Sequence, residues 1–172
     1  MKKIAITGLC AAALAACSDM DTRPGATASA TLRAASGSQV QGKVNFAQTG
    51  ATVRVTGEVT GLSPGLHGFH LHEKGDCSAA DATSAGAHFN PGARKHGGLH
   101  SSERHAGDFG NLSADATGKA VVNLTVSGIA VAAGQPNSIP GRGLIVHALP
   151  DDEKTDPTGN SGGRIACGVI QG

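Results

Sequence analysis

Two histidines separated by one residue, His70 and His72, form a pattern that could bind a metal ion. They lie in the apolar run 66–73, which predicts a short β-strand. Residues two apart on a strand face the same side, so both imidazoles could reach one metal ion while Phe69 and Leu71 point towards a core. A His-x-His pair alone is equally typical of an exposed surface, so its interpretation depends on what else the chain supplies.

The long segment 73–107 supplies further ligand types. His88, His96 and His105 lie in it, and Asp108 follows it directly. Three imidazoles and one carboxylate suit tetrahedral zinc. A glycine-rich segment of this length is not ordered cheaply by packing, and a metal bound at three or four of its points would offset the lost entropy.

A lone histidine, His147, lies in the apolar run 143–149. Such a histidine is more often a hydrogen-bonded core or edge residue than a ligand, but here it is one of a set. Seven candidates exceed one coordination sphere, which predicts two metals. Imidazole ligands favour copper and zinc, so four imidazoles in a plane would hold a redox copper and the mixed set a structural zinc.

Period-two alternation and short apolar runs predict the elements that position these residues. In one run, Val53, Val55 and Val59 share one parity and polar residues take the other, as in a half-buried strand. No long stretch shows helical periodicity, so the sequence predicts an all-β antiparallel sandwich or barrel. Two long connections, 73–107 and 150–163, are typical of functional loops. The predicted strands are 29–35, 39–47, 51–60, 66–73, 108–114, 119–126, 143–149 and 164–170.

The first residues predict export. A positively charged start is followed by an apolar stretch too short to span a bilayer, and the stretch ends in Leu14-Ala15-Ala16-Cys17, which resembles a bacterial lipobox with a lipidated Cys17. We therefore predict a signal peptide with lipobox at 1–17, a flexible tether at 18–28 and one folded domain at 29–172. An ordinary signal cleaved after small residues is the alternative.

The cysteine count follows from this reading. Of the four cysteines, Cys10 leaves with the signal and Cys17 would carry the lipid. The remaining pair in an exported chain predicts a Cys77–Cys167 disulfide, with two free thiols as the alternative.

Composition excludes other classes of function. The chain has 172 residues, enough for one domain, with a formal net charge of +1 and no basic run, so a nucleic-acid binder is not supported. No further segment could cross a membrane, so membrane contact is predicted only through the lipid anchor.

Spaced motifs, all in the expected order, resemble those of the copper/zinc superoxide dismutase family over roughly residues 29–172. The resemblance implies that family's fold, an eight-stranded antiparallel Greek-key barrel or sandwich of immunoglobulin-like architecture. The motifs are Gly68-Phe69-His70-Leu71-His72-Glu73, Gly86-Ala87-His88-Phe89-Asn90-Pro91, Lys95-His96-Gly97-Gly98, Arg104-His105-Ala106-Gly107-Asp108, the segment 141–147 and the C-terminal segment 163–170.

The resemblance also implies the ligands and their roles. One copper and one zinc per subunit are expected, with His88 as an imidazolate that bridges them and takes part in catalysis. Arg164 would dock the anion beside copper, and Asp151 would hydrogen-bond one ligand of each metal. His67 matches a structural core residue, whereas His100 has no counterpart and is interpreted as surface. The expected copper ligands are His70, His72, His88 and His147; the expected zinc ligands are His88, His96, His105 and Asp108.

The implied function is dismutation of superoxide to oxygen and hydrogen peroxide, which would protect the cell envelope. A copper chaperone or buffer that has lost activity is one alternative, but such a domain should lack Arg164 or a ligand. A copper-only dismutase should lack the zinc set. The loop 151–159 is shorter than in many members, and Pro157 stands where many carry Lys, which leaves the strength of anion steering open.

The cellular location and the oligomeric state are predicted from fewer residues than the metal ligands are. We predict a periplasmic or envelope location with anchoring in the outer membrane, because Ser18 stands where an Asp would favour retention at the inner membrane. A homodimer is compatible with the resemblance, although the interface differs between branches of the family.

Overall fold

The computed structural model describes residues 25–172, and within them it contains eight β-strands and a single turn of 3₁₀ helix at Thr83–Ala85. The predicted signal, its lipobox Cys17 and most of the predicted tether lie outside the described residues. None of the helices in the described part is long or apolar enough to cross a membrane. The strands are β1 Thr27–Ala34, β2 Gln41–Thr49, β3 Thr52–Thr60, β4 Gly65–His72, β5 Asp108–Ala114, β6 Ala120–Ser127, β7 Gly143–His147 and β8 Arg164–Gln171.

The strands form one antiparallel sheet in the order β5-β4-β7-β8-β1-β2-β3-β6. The outer strands β5 and β6 contact each other, which closes the sheet into a barrel. The connections β3 to β4 and β6 to β7 cross between the two halves, as in a Greek key. This confirms the predicted all-β antiparallel architecture, and every predicted strand end lies within two residues of the observed one.

Alternation explains why these residues form strands. In β3, Val53, Val55 and Val59 are fully buried, whereas Arg54 and Glu58 between them are exposed. Strand β4 differs because it is buried on both faces from its third residue onwards. Its apolar side chains enter the core, where the ring of Phe69 meets that of Phe109 edge-on at a centroid distance of 5.7 Å.

Two irregularities in strand pairing lie next to histidines. The register between β4 and β5 shifts between Gly68 and His70, and the register between β7 and β8 shifts between Val146 and His147. Bulges of this kind turn a side chain away from the regular pleat and are frequent beside functional sites.

Three long connections leave the barrel, one more than the sequence predicted. Those at 73–107 and 148–163 correspond to the two predicted loops. The third, 128–142, was not identified because Ile129, Val131 and Ile139 give it an apolar pattern. These three side chains are buried in the main core, so this segment is held against the barrel by packing.

A disulfide joins Cys77 of the first connection to Cys167 of β8, with the two Cα atoms 5.8 Å apart. Arg164, at the start of the same strand, donates hydrogen bonds to the carbonyl oxygens of Ala82 and Gly86 at 2.7 and 2.6 Å. The start of the long connection is therefore tied to β8 by one covalent bond and two charge-assisted hydrogen bonds.

Replacing both Cys77 and Cys167 by Ser should lower the free energy of unfolding of the metal-free protein by about 4–5 kcal/mol. The physical reason is that the crosslink spans 90 residues and removes loop entropy from the unfolded chain. Guanidinium denaturation measures the loss, and reduced native protein should match the double variant. A double variant as stable as the oxidised native protein would contradict the stabilising role.

Candidate metal centre

Four histidines meet on the side of β4 that faces away from the barrel core. His70 and His72 come from β4, His147 ends β7, and His88 comes from the first long connection. All four are buried, at 0%, 0%, 2% and 4% exposure respectively. One ring nitrogen from each lies within 4.8 Å of the corresponding nitrogen of every other member. We call this set the four-histidine cluster.

Backbone pairing brings His88 to this position. It forms an isolated antiparallel bridge with His72, and the N–H of Phe89 donates to the carbonyl of Leu71 at 2.8 Å. Glu73 and Ala87 add another hydrogen bond on the same side. The segment around His88 thus continues the sheet for a few residues, although it lies in a connection.

The outer nitrogen of each imidazole in the cluster has a partner. His72 Nδ1 donates to the carbonyl of Gly86 at 2.9 Å and His147 Nδ1 to that of Gly162 at 3.2 Å. His70 Nε2 donates to Asp151 Oδ2 at 2.7 Å. Because carbonyl and carboxylate oxygens only accept, these bonds leave the inner nitrogens with free lone pairs.

The inner nitrogens are four of the five buried side-chain polar atoms that lack a hydrogen-bond partner among the described residues, and the fifth is His96 Nδ1. His70 Nδ1 and the Nε2 atoms of His72, His88 and His147 have none in the described part of the chain. Burial without a hydrogen bond is unfavourable for such an atom, and four together are expected where a metal takes their lone pairs. The residues present therefore fit a four-imidazole copper site.

A second group is centred on Asp108, whose side chain is fully buried. Its Oδ1 lies 2.9 Å from His88 Nδ1 and 3.2 Å from the Nδ1 atoms of His96 and His105. Its Oδ2 accepts the backbone N–H groups of His105 at 2.8 Å and Gly97 at 3.1 Å. We call His88, His96, His105 and Asp108 the histidine–aspartate cluster; three nitrogens and one carboxylate fit tetrahedral zinc.

His88 belongs to both clusters. Its Nε2 faces the four-histidine cluster and its Nδ1 faces Asp108. The structure thus brings together both sets of ligands expected from the sequence, through a shared ring.

Asp151 connects the two clusters from the second long connection. Its two carboxylate oxygens accept hydrogen bonds from His70 Nε2 at 2.7 Å and His96 Nε2 at 2.9 Å. Asn111 holds its backbone: the side-chain oxygen of Asn111 accepts the N–H of Asp151, and the amide nitrogen donates to the carbonyl. Sequence reasoning missed Asn111, because an asparagine in a strand carries no signal of its distant partner.

Burial and hydrogen bonding divide the charges between the clusters. Burial, with the charges of neighbouring histidines, lowers the pKa of His88 to about 4 and that of His147 to about 3. Burial would raise the pKa of Asp108, but hydrogen bonds from His105 and His88 and the close approach of His96 outweigh it and hold that pKa far below its usual range. Burial would also lower the pKa of His96, but the nearby carboxylate of Asp108 and the hydrogen bond to Asp151 raise that pKa to about 10.

Arg164 lies beside the four-histidine cluster, because it pairs with His147 across β7 and β8. Burial is the largest influence lowering the pKa of His72 and of His147, and the charge of Arg164 contributes to both. Its guanidinium and His72 Nδ1 share the carbonyl of Gly86 as acceptor.

The remaining histidines are positioned as the sequence suggested. His67 is buried, its Nδ1 donates to the carbonyl of His147 at 2.8 Å, and its Nε2 lies 3.1 Å from Ser63 Oγ. His100 is exposed and belongs to neither cluster.

Comparison with known proteins agrees with this geometry. Residues 40–170 match the family model described as copper/zinc superoxide dismutase (SODC). The extracellular Cu-Zn superoxide dismutase of Haemonchus contortus is 46% identical over 135 residues, which are 75% of this chain and 72% of that protein. The crystal structure of the clock protein EA4 matches with a TM-score of 0.77 and 39% identity, covering 86% of this chain and 95% of that one. The family match and the identity to the relative show that this chain belongs to the copper/zinc superoxide dismutase family, oxidoreductases that dismute superoxide with copper and zinc.

Proposed function

We propose that the two clusters divide the metals between them. The four-histidine cluster, His70, His72, His88 and His147, would hold copper. The histidine–aspartate cluster, His88, His96, His105 and Asp108, would hold zinc, with one ion of each per chain. The observation that carries this assignment is the set of four buried ring nitrogens without partners, which converge while their outer nitrogens are held.

Donor chemistry supports the division. Copper supplies the one-electron redox change that dismutation needs, whereas zinc has no redox chemistry and supplies structure and charge. The carboxylate of Asp108 places negative charge at one end of the site, and the four-histidine cluster offers only imidazole nitrogens. An all-nitrogen set suits copper, and the mixed set suits zinc.

His88 is proposed as the group that handles the proton. Two superoxide ions need two protons to give oxygen and hydrogen peroxide, so the site must supply them. His88 Nε2 points into the four-histidine cluster and has no partner, while the carboxylate of Asp108 fixes the ring through Nδ1. A proton held at His88 Nε2 would lie inside the four-histidine cluster, where it could be transferred to the reduced superoxide.

Arg164 is proposed to bind the substrate anion. Its guanidinium is held by the carbonyls of Ala82 and Gly86, beside the loop that carries His88. Two fixed hydrogen bonds keep a permanent charge in one place, which attracts a small anion and orients it without a reorganisation cost.

Replacing one ligand from each cluster separates the two assignments. Asp108→Ala should lose zinc and keep copper, and thermal stability should fall by more than about 1 kcal/mol because zinc orders the first connection. His72→Ala should lose copper and keep zinc. Metal content by mass spectrometry and the dismutation rate measure both, and Glu103→Gln, an exposed residue of the same connection, is the control. Normal zinc in Asp108→Ala would contradict the zinc assignment.

Replacing Arg164 by Ala should keep both metals and lower the dismutation rate roughly ten- to a hundredfold. A close charge pair at intermediate dielectric contributes a few kcal/mol, which sets this range. Lys at this position should retain part of the rate because it keeps the charge. Arg54→Ala, on a strand without ligands, is the control for the loss of one positive charge. A native rate with unchanged salt dependence in Arg164→Ala would exclude the anion-binding role.

We also propose that the enzyme acts outside the cytoplasm, in the periplasm, where it protects the cell envelope. The Cys77–Cys167 disulfide supports this, since such bonds persist in oxidising compartments. The relative from Haemonchus contortus is named as extracellular. The sequence at 14–17 supports a lipid anchor on Cys17 and, with Ser18, attachment to the outer membrane. Assembly as a homodimer is part of the same proposal.

The proposed domain boundaries place the signal peptide with its lipobox at 1–17, a tether at 18–28 and the dismutase domain at 29–172. Strand β1 begins at Thr27, two residues before the proposed start of the domain.

Replacing Cys17 by Ser should abolish incorporation of labelled palmitate. Because this variant also blocks cleavage at a lipobox, a second variant should carry an ordinary cleavable signal in place of residues 1–17. That protein should be soluble in the periplasmic fraction and as active as the native enzyme, because the folded domain is unchanged. Native protein that takes up no palmitate, or that is already soluble, would rule out the anchor.

A further inference from the structure

The second long connection holds His96 at two points. Asp151 Oδ1 accepts the ring Nε2–H at 2.9 Å, and Asp156 Oδ1 accepts the backbone N–H of His96 at 2.6 Å. His96 Nδ1 lies 3.2 Å from Asp108 Oδ1 and makes no hydrogen bond. The ring and the backbone of this residue are therefore both fixed from one side, while the coordinating nitrogen stays free.

The backbone contact matters because of what surrounds His96 in the sequence. Gly97 and Gly98 follow it, and glycines have no side chains with which to anchor the chain. The N–H of Gly97 donates to Asp108 Oδ2, which is itself proposed to bind zinc. The N–H of His96 is thus the one backbone donor on residues 96–97 that is fixed from outside the histidine–aspartate cluster.

The connection that carries Asp156 is organised by a different acid. Asp152 accepts the N–H groups of Lys154 and Thr155, the hydroxyl of Thr155 and the side-chain amide of Asn160. Asp152 and Gly159 also pair through the backbone at 2.8 Å. Asp156 takes no part in these bonds, so its bond to His96 is separate from the folding of its own loop.

The same loop covers the Asp151–His96 contact. Gly159 has a φ of +61°, and a Cβ at this position would collide with Asp151 Oδ1 and approach His96 Nε2 to 2.6 Å. Backbone therefore lies directly against the hydrogen bond between the two side chains. The segment 151–159 therefore contacts His96 through Asp151, Asp156 and Gly159, and these contacts restrict the orientation of the imidazole ring.

We propose that Asp156 is a positioning residue for the zinc ligand His96: its carboxylate fixes the backbone so that the imidazole, oriented by Asp151, presents Nδ1 to zinc. The inference rests on the proposed zinc set. Partners that orient a metal ligand typically change metal affinity 10- to 100-fold when removed. Asp156 acts on the backbone rather than on the ring, so we expect a loss near the lower end, about tenfold.

The test measures zinc affinity in full-length protein by chelator competition, together with the d–d spectrum of the cobalt-substituted site. Asp156→Ala should weaken zinc binding about tenfold and alter the cobalt spectrum. Asp156→Asn keeps an oxygen acceptor and should recover most of the affinity. Lys154→Ala, an exposed side chain in the same loop, should bind zinc as the native protein does. The melting temperature of the metal-free protein should be the same in all of them.

The outcomes separate this inference from the assignment on which it rests. His105→Ala, a proposed ligand, serves as reference, and native zinc binding in that variant would overturn the zinc set itself. Loss of zinc in His105→Ala with native affinity in Asp156→Ala would overturn only the positioning role. Equal losses in the Ala and Asn variants would exclude the hydrogen bond as the cause. A matching fall in the melting temperature of metal-free Asp156→Ala would show a role in folding instead.

Discussion

The structure depends on burying seven candidate metal-ligand side chains and Asp151 beside the apolar core of the barrel. Imidazoles and carboxylates lose their hydration there, and each unpartnered polar atom costs free energy. The outer ring nitrogens of His70, His72 and His147 face carboxylate or carbonyl oxygens, so within residues 25–172 the buried polar atoms without partners are the four inner nitrogens and His96 Nδ1. Metal binding would satisfy these last atoms, so the folding of the connections and the loading of the site are coupled.

Much of this arrangement could be predicted from the sequence. The alternation that places Val53 and Val55 inside is a local property, and it located all eight strands. The His-x-His pattern on β4 likewise predicts that His70 and His72 face the same side, because side-chain direction on a strand follows from spacing alone. The connection 128–142 was missed since its apolar residues pack into the core, and this packing depends on tertiary contacts that a local pattern does not contain.

The partners that hold the ligands were less predictable than the ligands themselves. Asn111 is 40 residues from Asp151, and Asp156 is 60 residues from His96, and neither spacing indicates a contact. Which nitrogen of each ring is free depends on such distant acceptors. Asp151 was identified only through resemblance to a family. Sequence reasoning therefore names donor types, whereas their orientation requires the folded chain.

The strands and the long connections of the chain contribute different candidate ligands to the site. His70, His72 and His147 come from strands of the barrel, so the all-nitrogen cluster is largely set by the sheet. The histidine–aspartate cluster comes mostly from a connection that β8 fixes at its start, through the disulfide and Arg164. His88 stands where the two parts meet: it continues the sheet through its pairing with His72, and its ring contacts Asp108. A shift of the connection would therefore move His88 relative to the strand histidines, and so the ordering of one cluster determines the geometry of the other.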